Sequence, residues 1–425
     1  MIEWKNSQFR MPLILEGVRQ CGKTYILKEF GEKNYANTVY FNFEDDSRLN
    51  RLFEDNLDPH RLVEQLGLIS QQKIEPEKTL IIFDEIQFCN RALTSLKYFC
   101  ENAPEYHVVC AGSLLGILQL KPYSFPVGKV DRLQMRPMSF REFLYANDEK
   151  DLVDYLGRIS TEEKVPEPLA SRLEDYLRTY YVVGGMPGAV DVWIKTKDII
   201  KVEKIQDAIL NGCMNDFAKH ASHELSRLTQ IWSSIPVQLA KENNKFMFSH
   251  VKAGARSKDL EDALEWLIDA GLAYKVKKID RPGVPLSINA DNTSFKLYMA
   301  DIGLLRKMSG VPPGFAFIDT PEHSDYRGAI TENYVLCELI DLLGDTPYYW
   351  RSGGTAEVDF VTQIGMSTVP IEVKAGKKTA SKSLTEYIDR FSPDTTVITS
   401  MENIKVTSVL YLPLYLIWNL KKYMK

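Results

Sequence analysis

The residues Gly17-Val18-Arg19-Gln20-Cys21-Gly22-Lys23-Thr24 fit the spacing GxxxxGK[ST]. They stand between an apolar run, Pro12 to Glu16, and a stretch from Lys23 to Phe30 that reads as a helix stopped at Gly31. Few patterns of this length restrict a fold so strongly. Glycines let the backbone wrap close to a phosphate group, and consecutive N–H groups and the helix N-terminus then face its negative charge. Such a turn belongs at the C-terminal end of a strand in an open α/β sheet, where ligands collect. Gly17, Gln20, Cys21, Gly22, Lys23 and Thr24 are therefore the candidate nucleotide-binding residues. Lys23 is expected to reach the β- and γ-phosphates of ATP, and Thr24 to ligate Mg²⁺ through its hydroxyl.

A second segment answers the first. Leu80-Ile81-Ile82-Phe83-Asp84-Glu85 is four apolar residues followed by two acids. The apolar part reads as a buried central strand that delivers Asp84 and Glu85 to the phosphate site. Asp84 is expected to hold Mg²⁺, through water. Glu85 is expected to orient or deprotonate the attacking water, the role that separates a hydrolase from a binder. A solvated acid after a strand is the plainer reading of Glu85. Ser113 follows the apolar strand His107 to Ala111. It either contacts the γ-phosphate or the water, or only caps the next helix.

Strand-like runs at Thr38–Phe43, Thr79–Phe83, His107–Ala111 and Val130–Met135 alternate with helical stretches at Asp58–Gln72 and Asn90–Asn102. That alternation predicts a parallel sheet covered on both faces. After about residue 140 the pattern turns helical, at Ser139–Tyr145, Leu169–Tyr181 and Ile199–His220, broken by a turn at Gly184-Gly185-Met186-Pro187. Short helices from Ile231, then strand-like runs at Ala273–Lys278 and Ser294–Met299, suggest a winged helix. A helix at Ala329–Leu343 leads to strands at Tyr348–Arg351, Glu357–Thr362 and Val369–Lys374. The expected division is 1–145, a nucleotide-binding domain; 146–230, a helical lid or linker; 231–310, winged-helix-like; and 320–425, a C-terminal α/β domain.

Composition narrows the function. The 425 residues are 44% hydrophobic, enough for real cores, and carry a net charge of −5, which argues against a generally basic nucleic-acid binder. Six cysteines without a CxxC pair read as reduced thiols of a cytoplasmic protein. The polar N-terminus lacks the apolar stretch of a signal peptide, and no run approaches the ~20 apolar residues of a membrane span. Val409 to Trp418, broken by Pro413, reads as a buried strand or core segment.

Asp359 precedes Glu372-Val373-Lys374. Glu372 and Lys374 are two apart on one strand and so face the same side, where Asp359 on a paired strand can join them. Two carboxylates suit Mg²⁺, Lys374 could position water or stabilise phosphate charge, and Glu332 on the preceding helix could add a ligand. The plainer reading is a salt-bridged strand. His220, His223 and Glu224 read as a polar helix face, since no third ligand is apparent. The third helix of the winged-helix region carries Asp259, Glu261, Asp262 and Glu265. It would face phosphates badly and reads as a scaffolding or partner-binding element.

In order along the chain, GVRQCGKT, LIIFDEIQ, VVCAGSLLG and RPMSFREFL resemble the AAA-type ATPases of bacteria and archaea that carry a C-terminal domain of unknown function related to restriction-endonuclease folds. YVVGGMPGAV, FKLYMADIGLL, YRGAITENYVLCEL and YYWRSGGTAEVDFV extend the resemblance over nearly the whole chain. It implies a P-loop NTPase sheet of order 5-1-4-3-2, a helical and winged-helix middle and a restriction-endonuclease-like α/β C-terminal domain. It implies Glu85 as the hydrolytic acid and Ser113 as a sensor. Assembly into a homo-oligomer, or with a partner protein, would let one subunit's arginine complete the next subunit's site. Relatives often have an arginine after the glycine at position 128; this chain has Lys129, with Arg132 and Arg136 as nearby alternatives. The cluster Asp359, Glu372 and Lys374 resembles a PD-(D/E)xK nuclease core. Two functions follow: a DNA-processing enzyme in which ATP turnover gates phosphodiester cleavage, or an ATP-driven switch whose nuclease-like domain only binds a partner. A small-molecule kinase is weaker, because Glu85 beside Asp84 suits an activated water better than a substrate hydroxyl.

Overall fold

Four consecutive apolar side chains, Leu80 to Phe83, cannot alternate between core and solvent, so their strand must be covered on both faces. The computed structural model describes residues 1–46, 48–112, 125–221, 224–241, 245–314, 324–377 and 380–424. It has two compact units. One is Met1–Arg136 with Asp269–Gly271; the other is Pro137–Ile268 with Leu272–Lys425.

The first unit is built on strands β1 (Leu13–Gly17), β2 (Asn37–Asn42), β3 (Thr79–Asp84), β4 (His107–Gly112) and β5 (Asp131–Met135). All pairings are parallel, and the order is β2-β3-β4-β1-β5, the expected 5-1-4-3-2 read from the other edge. β1, β3 and β4 are buried from end to end. Successive side chains serve opposite faces. Leu13, Leu15, Leu80, Ile82 and Val109 meet Leu27 and Phe30 of the helix Lys23–Asn34. Ile14, Ile81, Phe83, Val108 and Cys110 meet the helices Pro59–Ser70 and Asn90–Asn102 through Leu62, Leu66, Leu96 and Phe99. Asp58 caps the first of these by accepting from Arg61 N.

Gly31 does not stop its helix, which continues to Asn34. A Cβ there would lie 2.4 Å from the Thr38 hydroxyl, so this glycine lets β2 approach the helix.

The second unit opens with helices at Phe140–Ala146, Lys150–Arg158, Glu167–Val183, Pro187–Thr196, Ile199–His220, Leu225–Leu239, Phe248–Val251 and Ser257–Asp269. The hairpin of β6 (Ala273–Ile279) and β7 (Ala290–Met299) follows, then helices Ile302–Met308 and Ser324–Leu343. Strands β8 (Tyr348–Arg351), β9 (Glu357–Ile364) and β10 (Ser367–Val373) precede the helix Lys382–Phe391 and strands β11 (Val397–Ser400), β12 (Lys405–Val406) and β13 (Leu410–Pro413). They form one mixed sheet, β12-β13-β11-β10-β9-β8-β6-β7. The helix–helix–helix–hairpin order matches the sequence reading, and the hairpin is built into the C-terminal sheet through parallel pairing of β6 with β8. Pro413 divides the apolar stretch near the C-terminus into β13 and a buried 3₁₀ segment, Leu414–Tyr423.

The turn at Gly184–Pro187 has a partner in the stretch ADIGLL. Asp301 caps the helix Ile302–Met308 by accepting from Leu304 N at 2.8 Å, and its other oxygen accepts from Gly185 N at 2.7 Å. Gly185 O in turn accepts from Met138 N at 2.7 Å. No helix among the described residues is long and apolar enough to cross a membrane.

Candidate active site

In the first unit, β1 runs straight into the turn that ends at Gly22, and the helix Lys23–Asn34 starts there. The turn holds Gln20 and Gly22 at positive φ, 63° and 93°. Cys21 is buried, and that burial raises its thiol pKa. Lys23 is buried as well. Its ammonium donates to the carbonyls of Gly17 at 2.9 Å and Val18 at 2.8 Å, so it sits inside the loop's curve.

β3 and β1 bring the two sequence segments together across the sheet. Thr24 Oγ1 donates to Asp84 Oδ2 at 2.6 Å. Asp84 is 2% exposed, and Tyr40 of β2 donates to the same oxygen at 2.8 Å. Its other oxygen accepts from Glu85 N at 3.0 Å. Glu85 stands at the strand's end in the left-handed region, φ 50° and ψ 41°. That kink turns its side chain out of the strand's alternation. Burial raises the Glu85 pKa, and a hydrogen bond from Gln87 Nε2 opposes the rise. Thr24 Oγ1 and Asp84 Oδ2 are two hard oxygen atoms side by side, residues of the kind that could hold Mg²⁺. Ser113 lies outside the described residues.

Arg132 on β5 grips Glu16 of β1 through two hydrogen bonds, Nε–Oε1 at 3.0 Å and Nη2–Oε2 at 2.6 Å. Its guanidinium is thus bound within its own chain. Lys129 pairs with Glu101 at 3.0 Å.

The acids of the second unit also gather, though not as three ligands around one point. Asp359 of β9 accepts from Val373 N of β10 at 2.7 Å. Glu372 Oε1 accepts from Lys374 Nζ at 2.7 Å and from Ser381 Oγ at 2.8 Å, while Oε2 is buried with no hydrogen-bond partner among the described residues. Lys374 falls just past the end of β10 yet faces the same side as Glu372. Burial, with Glu372 and Glu332 near, raises the Asp359 pKa well above the carboxylate range. Burial disfavours the charge on Lys374, but Glu372 and Asp359 outweigh it and its pKa rises.

Glu332 also has partners outside this cluster. Its Oε2 accepts from Tyr298 OH at 3.1 Å and lies 3.6 Å from Lys296 Nζ. Among the described residues, no three His, Cys, Asp or Glu side chains form a group that could hold a metal ion. Lys296, a protein cation, stands 3.6 Å from Glu332, the residue expected to join Asp359 and Glu372 as a metal ligand. His223 and the side chain of His220 lie outside the described residues.

Comparisons with known proteins place a family match over the stretch that carries the first of these two sites. Residues 9–144 match the AAA domain family. The chain carries an AAA-type P-loop ATPase domain. Residues 174–314 and 327–417 match two domains of unknown function, DUF8612 and DUF4143. An uncharacterized protein of Haemophilus influenzae strain Rd is 24% identical over 333 residues, covering 73% of this chain and 72% of that protein. Cdc6p from Pyrobaculum aerophilum matches 78% of this chain and 91% of its own at 12% identity, TM-score 0.25. AMPPCP-bound DnaA from Aquifex aeolicus matches 63% and 85% at 11% identity, TM-score 0.24. Similarity that low carries no argument about this molecule.

Three residues of these sites escaped the sequence reading. Tyr40 lies on the second strand of the AAA domain, and only the register Asn42↔Asp84 puts it beside Asp84. Gln87 was in view within DEIQ, but nothing in its spacing marked it as Glu85's partner. Lys296 lies in SFKLYM, an alternating run in which a lysine reads as solvent-facing.

Proposed function

We propose that this chain binds Mg²⁺–ATP in its N-terminal unit and hydrolyses it. The observation that carries the reading is the 2.6 Å contact between Thr24 and Asp84, made beside a lysine that the phosphate-binding turn encloses. Lys23 would exchange the carbonyls of Gly17 and Val18 for phosphate oxygens. Thr24 and Asp84 would hold Mg²⁺, which supplies charge neutralisation at the phosphates. Tyr40 fixes the Asp84 carboxylate so that one oxygen stays directed at Thr24. Glu85 would orient the attacking water and accept its proton, and the burial that raises its pKa makes it a stronger base. Ser113 is proposed as the γ-phosphate sensor. An arginine that completes the site would come from a second subunit or a partner, with Arg132, which pairs with Glu16 in its own chain, and Arg136 as this chain's candidates. A cytoplasmic setting fits this chemistry.

ATP-driven switching is the output we assign to the whole chain. A second reading, phosphodiester cleavage of DNA by a restriction-endonuclease-like C-terminal domain, is favoured by one observation: Asp359, Glu372 and Lys374 come together with one Glu372 oxygen left without a partner. Measuring ATPase rates and metal-dependent cleavage of single- and double-stranded DNA decides between them, using wild type, Glu85→Gln and Lys374→Ala. Loss of ATPase in Glu85→Gln with no cleavage by any protein supports the switch. Cleavage that disappears in Lys374→Ala while ATPase persists establishes the nuclease. A wild-type chain inert toward ATP, with or without DNA, overturns the hydrolysis reading.

A further inference from the structure

Lys296 is a lysine at 1% exposure on β7, a strand whose residues from Ser294 to Met299 are all buried. A buried ammonium is costly unless compensated; among the described residues this one makes no hydrogen bond of good geometry, but it lies within ion-pair range of acids from two other elements. Its Nζ lies 2.7 Å from Glu357 Oε1 at the start of β9 and 3.6 Å from Glu332 Oε2 on the helix Ser324–Leu343. It also sits over the Tyr349 ring, 5.2 Å from the centroid. Burial works against its charge, but Tyr298, Glu332, Glu357 and Asp359 together raise its pKa well above the ordinary lysine value. The Lys296 ammonium thus lies against Glu357 and Glu332, the second of which was expected to join Asp359 and Glu372.

We infer that Lys296 is the resident cation of this acidic site and stands in for a divalent metal. Three features agree. Among the described residues, the acids do not converge as metal ligands. The carboxylate that would complete such a set, Glu332, accepts from Tyr298 and lies 3.6 Å from Lys296. Glu372 Oε2 has no hydrogen-bond partner among the described residues, so the site retains acceptor capacity that a metal could use once Lys296 is gone. A tethered ammonium cannot leave with solvent, so neutralisation of the acids needs no metal uptake. The inference bears on the second reading above. It makes the site as folded here a metal-free binding surface, which Lys296 closes to divalent cations.

The test is Mn²⁺ binding to the full-length chain without nucleotide, followed by electron paramagnetic resonance of free Mn²⁺ and by thermal melting. Lys296→Met should gain a Mn²⁺ site at least about tenfold tighter than any in wild type. Mn²⁺ should then raise its melting temperature, as a ligand of the native state does. The gain should vanish when Glu372→Gln is added. Because Lys296→Met alone leaves Glu332 and Glu357 without their cation, Lys296→Met/Glu357→Gln removes the pair together and should show the same gain. Lys296→Arg keeps the charge and should behave as wild type. Equal Mn²⁺ affinity in wild type and Lys296→Met, lost in Glu372→Gln, would overturn the resident-cation role while leaving a metal site for the nuclease reading. No Mn²⁺ site in either Lys296→Met chain would overturn both the role and the metal reading.

Discussion

At Asp84, one side chain holds together three parts of the first unit, and the chemistry proposed there depends on that economy. Its Oδ2 takes hydrogen bonds from Thr24 and Tyr40 and its Oδ1 takes one from the backbone of Glu85. Lys23→Ala should abolish ATP binding in a fluorescent-nucleotide titration, because the loop then offers no cation to the β- and γ-phosphates. Glu85→Gln should keep that binding and lower the turnover number by about 10²–10⁴, the range of a general base, measured by phosphate release. A buried carboxyl in the second unit makes a different prediction. Glu338, at 1% exposure, accepts from Phe140 N at 2.7 Å while its other oxygen has no partner, and burial pushes its pKa up to about 8. The folded state thus holds a proton that the unfolded chain, with an ordinary carboxyl, releases near pH 4.5. This contribution is full below that value, declines as pH rises from 4.5 to about 8, and is flat above. The stability of the second unit, read from its melting, should fall as pH rises across that window, with a slope approaching about 1.4 kcal/mol per pH unit, and Glu338→Gln should flatten it.

Among elements, the joint between the Gly184–Pro187 turn and the helix Ile302–Met308 turns two sequence stretches of no evident chemistry into one piece of architecture. Asp301 satisfies two backbone donors that would otherwise be orphaned, and its burial raises its pKa to about 6 despite those bonds. A Cβ on Gly185 would lie 2.1 Å from Met138 O, which is backbone and cannot swing aside. Gly185→Ala should therefore destabilise the second unit by about 1–3 kcal/mol, the usual range for overpacking, read from urea unfolding. The stretch YVVGGMPGAV was legible as a turn, while ADIGLL stood out only through the family resemblance. Their pairing was not, because a carboxylate capping a helix looks the same in sequence whether or not its second oxygen reaches another element.

For the whole molecule, each unit has its own buried clusters and its own sheet. Scanning calorimetry should resolve more than one transition, as separate cores permit. Mg²⁺–ATP at hundredfold excess over its Kd should stabilise the unit that binds it by about 2.7 kcal/mol, and Lys23→Ala should lose the shift. A single transition unmoved by ATP would contradict the nucleotide-binding assignment.

The nucleotide site and the five-stranded sheet were largely readable from sequence alone, because both are written in short-range spacing. A phosphate turn needs its glycines, lysine and threonine within eight consecutive residues, and a strand covered on both faces needs an unbroken apolar run such as Leu80–Phe83. The trio Asp359, Glu372 and Lys374 was readable for the same reason, since two-residue periodicity along a strand puts Glu372 and Lys374 on one side. What only the tertiary structure decided is the company these residues keep. Tyr40 meets Asp84 through strand register, and Lys296 meets Glu332 and Glu357 through the way the hairpin joins the C-terminal sheet. Contacts between residues so distant in the chain leave no periodic mark, because register and sheet packing are set by the whole core and not by the residues that profit from it.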